Sequence, residues 1–335
     1  MIKFSEKRLL EIAEKAHQNR IIVFGDLMVD QYLWGNVTRI SPEAPVPIIN
    51  ISSEQVRFGG AANVAFNIIG LKANPLLVGV LGDDRMGHIF KDMLNQNNLS
   101  DEGIITDPGR PTTVKTRIIG NNQHVARVDQ ESVEQISPEI QEQLFQIFVS
   151  HIEDVTAIVV EDYNKGVVAP PLVNHISELA ERNDKIITVD PKFENFFAFK
   201  NVTVFKPNVK ETEEALAMRI PDDETLTRAG NKLLSMLNAK AVLVTRGSKG
   251  MALFEKNGDH VFVETQARKV ADVSGAGDTV VATLTFALSG GASIKEAVAL
   301  SNYAAGIVCE EVGVVPVNLE NLIEVVLRKQ NSGTV

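Results

Sequence analysis

Short, wholly apolar runs alternate along this chain with longer segments whose apolar positions recur at helical spacing. Ile21-Ile22-Val23-Phe24 ends in Gly25-Asp26, and similar runs recur at 76–81, 157–160, 186–189, 202–205 and 241–244. A strand apolar at every position is buried on both faces, as in a parallel sheet covered by helices. Residues 5–18, 61–70, 86–96, 138–149, 171–182 and 223–237 supply the helical patterns. The alternation predicts an α/β fold with a doubly wound, mainly parallel sheet. Ligands of such sheets bind beyond the carboxyl ends of the strands. The polar residues that follow the apolar runs are Asp26, Asp30, Asp162, Asp190, Asn208 and Thr245.

Two stretches break the pattern. Residues 46–51 form a short run after the Pro-rich Ser41-Pro42-Glu43-Ala44-Pro45. Residues 112–119 and 124–128 flank Gly120-Asn121-Asn122, a hairpin signal. Val114, Thr116 and Ile118 alternate with Thr113, Lys115 and Arg117, which suits a sheet with one solvated face. These pieces predict a small inserted β-sheet, from about 31–52 and 110–129, serving as a lid or a dimer contact. Residues 1–330 then form one domain, and 331–335 read as a flexible tail.

The 335 residues are 44% hydrophobic and 23% charged, an ordinary globular composition. The net charge of −10 argues against nucleic-acid binding, which needs a basic footprint. The one cysteine, Cys309, cannot form an internal disulfide, which suits a reducing cytoplasm. No apolar run is long enough for a membrane span, and the N-terminal stretch lacks the pattern of a secretory leader. The six histidines show no zinc-ligand spacing.

Chemistry concentrates at Asp272-Val273-Ser274-Gly275-Ala276-Gly277-Asp278, which runs straight into an apolar helix-compatible segment. A small-residue turn entering a helix leaves outward-facing amides at the positive end of the dipole, a site for phosphate. Asp278 is placed there to accept a proton. Locally, the alternative is a helix N-terminal residue after an ordinary turn. Gly59-Gly60-Ala61-Ala62-Asn63 is a second such turn, with Asn63 suited either to sugar hydroxyls or to capping. No Gly-Lys-Ser/Thr phosphate loop occurs, and residue 280 is Val where a dinucleotide fingerprint needs its third glycine.

The two glycine turns, in this order, resemble the paired signatures of the ribokinase-like (PfkB) carbohydrate kinases. The resemblance covers about residues 18–328 and implies a Rossmann-like domain with a β-sheet lid. It implies Asp278 as catalytic base and the amides of Gly275, Ala276 and Gly277 as the hole for the γ-phosphate of ATP. It gives Asp30, Gly59, Gly60 and Asn63 to the sugar. Asn208 and Glu211 match an Asn-x-x-Glu element near Mg²⁺, reached through water. From its residues alone, Glu211 reads as part of a solvated helix face. Thr245, Arg246, Gly247 and Asn302 fall on the nucleotide side, and a monovalent cation such as K⁺ is implied near Asp272 and the Val312-Gly313 turn.

Finer wording is similar to the branch of that family acting on D-glycero-D-manno-heptose 7-phosphate, at its anomeric 1-hydroxyl, for lipopolysaccharide core synthesis. The stretches are Gly25-Asp26-Leu27-Met28-Val29-Asp30, Arg39-Ile40-Ser41-Pro42-Glu43, Asp162-Tyr163-Asn164-Lys165-Gly166 and Asp190-Pro191-Lys192. Arg117, Arg127, Lys165 and Lys192 are the candidate cations for the sugar's own phosphate. The resemblance further implies a homodimer through the lid. No two histidines are three apart, as a nucleotidyltransferase site would require, so a separate enzyme is expected to supply that later step.

Overall fold

The computed structural model describes residues 2–267, 271–311 and 313–331. The strands are β1 (Arg20–Gly25), β2 (Leu27–Ile40), β3 (Pro47–Gly60), β4 (Asn74–Gly82), β5 (Ile104–Asp107), β6 (Thr113–Gly120), β7 (Gln123–Gln130), β8 (Val155–Glu161), β9 (Ile186–Asp190), β10 (Val204–Phe205), β11 (Ala241–Thr245), β12 (Met251–Glu255) and β13 (His260–Val263). The helices are α1 (Glu6–Gln18), α2 (Ala61–Gly70), α3 (Arg85–Gln96), α4 (Pro138–His151), α5 (Pro170–Arg182), α6 (Val209–Leu216), α7 (Asp223–Leu237), α8 (Ala276–Ser289), α9 (Ile294–Cys309) and α10 (Leu319–Asn331).

The main sheet has nine strands in the order β13-β12-β11-β10-β9-β8-β1-β4-β5. It is parallel from β5 to β11 and closes with the antiparallel β12 and β13. Alternation along β1 divides the core. Ile21 and Val23 face the side covered by α1, α2, α8, α9 and α10, while Ile22 and Phe24 face α4, α5 and α7. Phe24 is fully buried and meets the Phe148 ring edge-on at 5.4 Å. A side chain of that size, taken wholly from water, contributes about 2–3 kcal/mol. Helix α8 is buried on all sides from Asp278 to Ser289, so it runs through the core and its start is fixed relative to the sheet.

The second sheet has four strands in the order β3-β2-β6-β7. Strand β2 is antiparallel to β3 and parallel to β6, and β6 turns into β7 through Asn121 and Asn122, both left-handed at φ 52° and 62°. Asparagine tolerates that conformation, which a tight hairpin of this hand needs. The short run expected at 46–51 is part of a 14-residue strand. Ser52, Ser53, Glu54 and Gln55 concealed it, because that end of the ribbon is exposed and carries no apolar alternation. Asp30, expected beyond the first strand, lies inside β2.

Only Asp26 separates β1 from β2. It is buried, and its carboxylate accepts the backbone amides of Tyr163, Lys165 and Val167 at 2.7, 3.1 and 3.2 Å. The joint between the sheets is therefore pinned. At the other end, α10 continues through Asn331, where the tail was expected to begin, and the rest of that expected tail lies outside the described residues. Among the described residues, no helix is long and apolar enough to cross a membrane.

Candidate active site

Helix α8 begins beyond the carboxyl ends of β8 and β9. Its N-cap, Gly275, is left-handed at φ 76°, and a Cβ there would meet the Asn63 amide nitrogen at 3.0 Å. Glycine is thus required twice over, by conformation and by space. The first turn has no side-chain cap, which leaves the positive helix end to a ligand. The Ala276 amide makes one long turn bond, 3.3 Å, to the Val273 carbonyl.

Asp278 sits in that first turn, buried. Asn63 donates to its Oδ2 at 2.6 Å, and the Tyr163 hydroxyl donates to its Oδ1 at 2.9 Å. Burial pushes its carboxyl up to about 6, with the Asn63 hydrogen bond opposing and the nearby Asp190 charge adding to the rise. Such a group is ionised at neutral pH, yet basic enough to take a proton. We predict an acid limb in kcat/KM near pH 6, with activity lost as Asp278 takes up a proton. A profile flat down to pH 5 would remove Asp278 from the proton transfer.

Two cavities meet at this residue. The smaller, about 290 Å³, is lined by Met28, Asp30, Gly60, Asn63, Lys115, Arg117 and Arg127, with Tyr163, Gly275 and Asp278 at its floor. The larger, about 490 Å³, is lined by Lys192, Lys206, Asn208, Glu211, Thr245, Gly247 and Asn302, and shares Tyr163, Gly275 and Asp278. The small cavity's walls come from the four-stranded sheet and the large cavity's from the main domain.

Each expected residue has a definite place. Arg117 pairs with Asp30 and lies 5.2 Å from the Tyr32 ring centroid. Arg127 is held by Asp129 through two bonds of 3.0 and 2.9 Å. Gly59 lies where a Cβ would come within 2.8 Å of the Asp30 carboxylate, so it makes room for that carboxylate. Lys165 was expected at the substrate, but its ammonium turns to Glu131 at 2.9 Å and it lines neither cavity. Lys192 was expected at the sugar's phosphate. It lines the larger cavity instead, 2.5 Å from Glu211 and 5.3 Å from the Tyr163 ring centroid. Lys115, which the sequence reading passed over, takes its place in the small cavity, 3.5 Å from Glu131.

Asn208 and Glu211 form the capping box of α6. The Asn208 side chain accepts the Glu211 amide at 2.9 Å, and the Glu211 carboxylate accepts the Asn208 amide at 2.8 Å. Glu211 is buried against the larger cavity, so the solvated helix face is corrected. Arg246 pairs with Asp223 at 2.5 Å, and Asn302 donates to the Glu264 carbonyl at 2.7 Å. Asp272 accepts the amides of Ser274 at 2.9 Å and Gly313 at 3.1 Å, and Val312 lies outside the described residues.

Beneath the floor lies a cluster that the sequence did not announce. Carboxyl oxygens of Glu161, Asp190 and Asp278 all fall within 4.8 Å of one another. Lys206 is buried and pairs with Asp190 at 2.7 Å. Burial and the neighbouring Asp190 and Asp278 carboxylates push Glu161 well above its ordinary value.

A doubly wound fold, two cavities meeting at a buried carboxylate, and an uncapped helix start beside it suit the transfer of a phosphoryl group. This chain belongs to the pfkB family of carbohydrate kinases, whose pattern matches residues 18–321. It is an ATP-dependent carbohydrate kinase. The bifunctional protein HldE of Geobacter sulfurreducens is 40% identical over 300 residues, covering 89% of this chain and 61% of the relative. HldE of Helicobacter pylori strain P12 is 39% identical over 303 residues, covering 90% of this chain and 66% of the relative. The chain thus spans about three fifths to two thirds of the curated relatives' length. The structure of Arabidopsis thaliana ribokinase with ribose and ATP aligns at TM-score 0.73 and 18% identity, over 92% of this chain and 98% of that one. Escherichia coli phosphofructokinase-2 with potassium aligns at 0.76 and 17%, over 93% and 99%. At such identity these two show the fold alone.

Proposed function

We propose that this kinase transfers the γ-phosphoryl group of ATP to the anomeric 1-hydroxyl of D-glycero-D-manno-heptose 7-phosphate, giving the 1,7-bisphosphate for lipopolysaccharide core synthesis. The observation that carries this reading is the composition of the small cavity. It opens onto Asp278 and sets a hydroxyl-binding carboxylate, Asp30, among three cations, Lys115, Arg117 and Arg127. A neutral sugar has no use for that many cations, whereas a sugar phosphate does. The relatives named HldE support the heptose branch.

Asp30 and Asn63 fix the sugar's hydroxyls, with ATP along the larger cavity. Asp278 takes the proton of the 1-hydroxyl as its oxygen bonds to the γ-phosphorus. The bond from that phosphorus to the bridging oxygen breaks, and ADP leaves with the electron pair. The first amides of α8 and its dipole meet the charge that develops on the γ-phosphoryl oxygens. Asn208 and Glu211 offer hard oxygen donors to a Mg²⁺ bound with ATP, and both side chains are engaged in the cap, which fits contact through water. When bound, that ion spreads the negative charge of the phosphates.

The same reading keeps a K⁺ near Asp272, a cytoplasmic enzyme, and a homodimer through the small sheet. Ile40, Ile51 and Val128 of that sheet are exposed apolar side chains. A separate partner for nucleotidyl transfer finds no support among relatives that are themselves named bifunctional.

The test is ADP release with MgATP across heptose 7-phosphate (both anomers), fructose 6-phosphate, fructose, ribose and adenosine. Turnover on heptose 7-phosphate is expected. Preference for fructose, ribose or adenosine would keep the kinase and overturn the substrate. Within the same assay, Arg117→Ala should raise KM for the sugar phosphate by roughly 10–100-fold, with KM for ATP unchanged. An equal rise in both would place Arg117 outside the sugar site.

A further inference from the structure

Tyr163 follows β8 and, among the described residues, is the one aromatic ring that lines both cavities. Its hydroxyl donates to Asp278 Oδ1 at 2.9 Å while Asn63 donates to Oδ2 at 2.6 Å. The two donors come from different elements, one beyond β8 and one on α2, and approach different oxygens. Together they fix the rotation of the carboxylate about its Cβ–Cγ bond. We propose that Tyr163 is a positioning residue for the transfer, holding Asp278 in the orientation and ionisation that proton abstraction needs.

The electrostatics require such a donor. Asp190 from the end of β9 and Glu161 from the end of β8 face Asp278, and the Lys206 charge after β10 acts on it. Lys206 is committed to Asp190 at 2.7 Å. Ionisation of Asp278 therefore rests largely on neutral donors, Asn63 and Tyr163. The phenol is itself pushed well above its ordinary value, by burial and by the Asp278 and Glu161 carboxyls, so it keeps its proton and remains a donor. Lys192 is placed over the Tyr163 ring at 5.3 Å and paired with Glu211, which steadies the ring from the nucleotide side.

The inference rests on Asp278 being the base, and the test separates the two. Tyr163→Phe removes one oxygen and keeps the ring. It should lower kcat by roughly 10–100-fold, the range for a hydrogen bond to a charged group. Because the lost bond favoured the ionised carboxylate, the acid limb of kcat/KM should move to higher pH. Ionisation of the substrates is common to both enzymes and cancels in the comparison. The second measurement keeps the side chain whole. The chain has three tyrosines, so uniform replacement by 3,5-difluorotyrosine makes Tyr163 a stronger donor. The acid limb should then move to lower pH, and this shift should vanish in the Tyr163→Phe background. Unmoved acid limbs in both experiments, with Asp278→Asn inactive, would overturn the role of Tyr163 alone. An active Asp278→Asn would overturn the base, and this inference with it.

Discussion

Asp278→Asn should reduce kcat by roughly 10²–10⁴-fold, the range for loss of a positioned base. The chain should still fold. The variant amide keeps an oxygen for the Tyr163 hydroxyl, and Asn63 needs only to turn its own amide to present oxygen in place of nitrogen. Stability should respond to pH with a definite sign. The Asp278 carboxyl is pushed from its ordinary 3.8 up to about 6 in the folded chain, so its ionisation works against folding above the lower value. The difference between variant and wild type should therefore move in the variant's favour as pH rises from about 4 to 6. It should level off above that, at up to about 3 kcal/mol. Chemical denaturation at pH 4.5 and 7.5, beside the ADP assay, reads both effects. Turnover near the wild-type rate would show that another group accepts the proton.

Lys206→Met should carry the largest cost in stability. The ammonium is buried, and its removal leaves Asp190 without its paired cation beside Glu161 and Asp278, with only the charge of Lys192 still acting on it. Breaking a buried pair from one side typically costs about 3–5 kcal/mol. In the variant, the Asp190 carboxylate is left buried without its paired ammonium. The deficit is read by chemical denaturation at pH 7.5. Adding Asp190→Asn should recover part of the loss, since no stranded charge remains. A Lys206→Met chain within 1 kcal/mol of wild type at pH 7.5 would mean that water or a solvent cation reaches the cluster.

The parts of this molecule legible in its sequence are those whose cause is local. The apolar run Ile21-Ile22-Val23-Phe24 announces a strand because both its faces are buried. The turn before Asp278 announces a helix start because only small residues fit there, as the left-handed Gly275 against Asn63 shows. What stayed hidden depends on residues that meet only in space. Tyr163, Asp190 and Lys206 each follow a different strand, and nothing near them in sequence says that they converge on one carboxylate. Lys192 was read as a cation near a strand end, which is its position. A strand end does not say which of two cavities a long side chain enters. In β3 the obstacle was different, because a ribbon exposed at its outer end needs no apolar alternation to be a strand.

The two binding cavities are built by separate parts of the fold and touch along one narrow seam. The small cavity's lining, apart from Asn63, Ser274, Val314 and the shared floor, hangs on a sheet joined to the main domain at Asp26, at Gly60 and at the segments before Thr113 and after Gln130. The larger cavity is lined by α6, α8, α9, the ends of the main strands and the loops beside them. On the proposed roles, such a division leaves the acceptor side open to change in one small sheet while the phosphoryl-transferring side stays as it is. It also sets the terms for redesign. On those roles, libraries confined to β2, β6 and β7 should change acceptor use and leave KM for ATP unchanged.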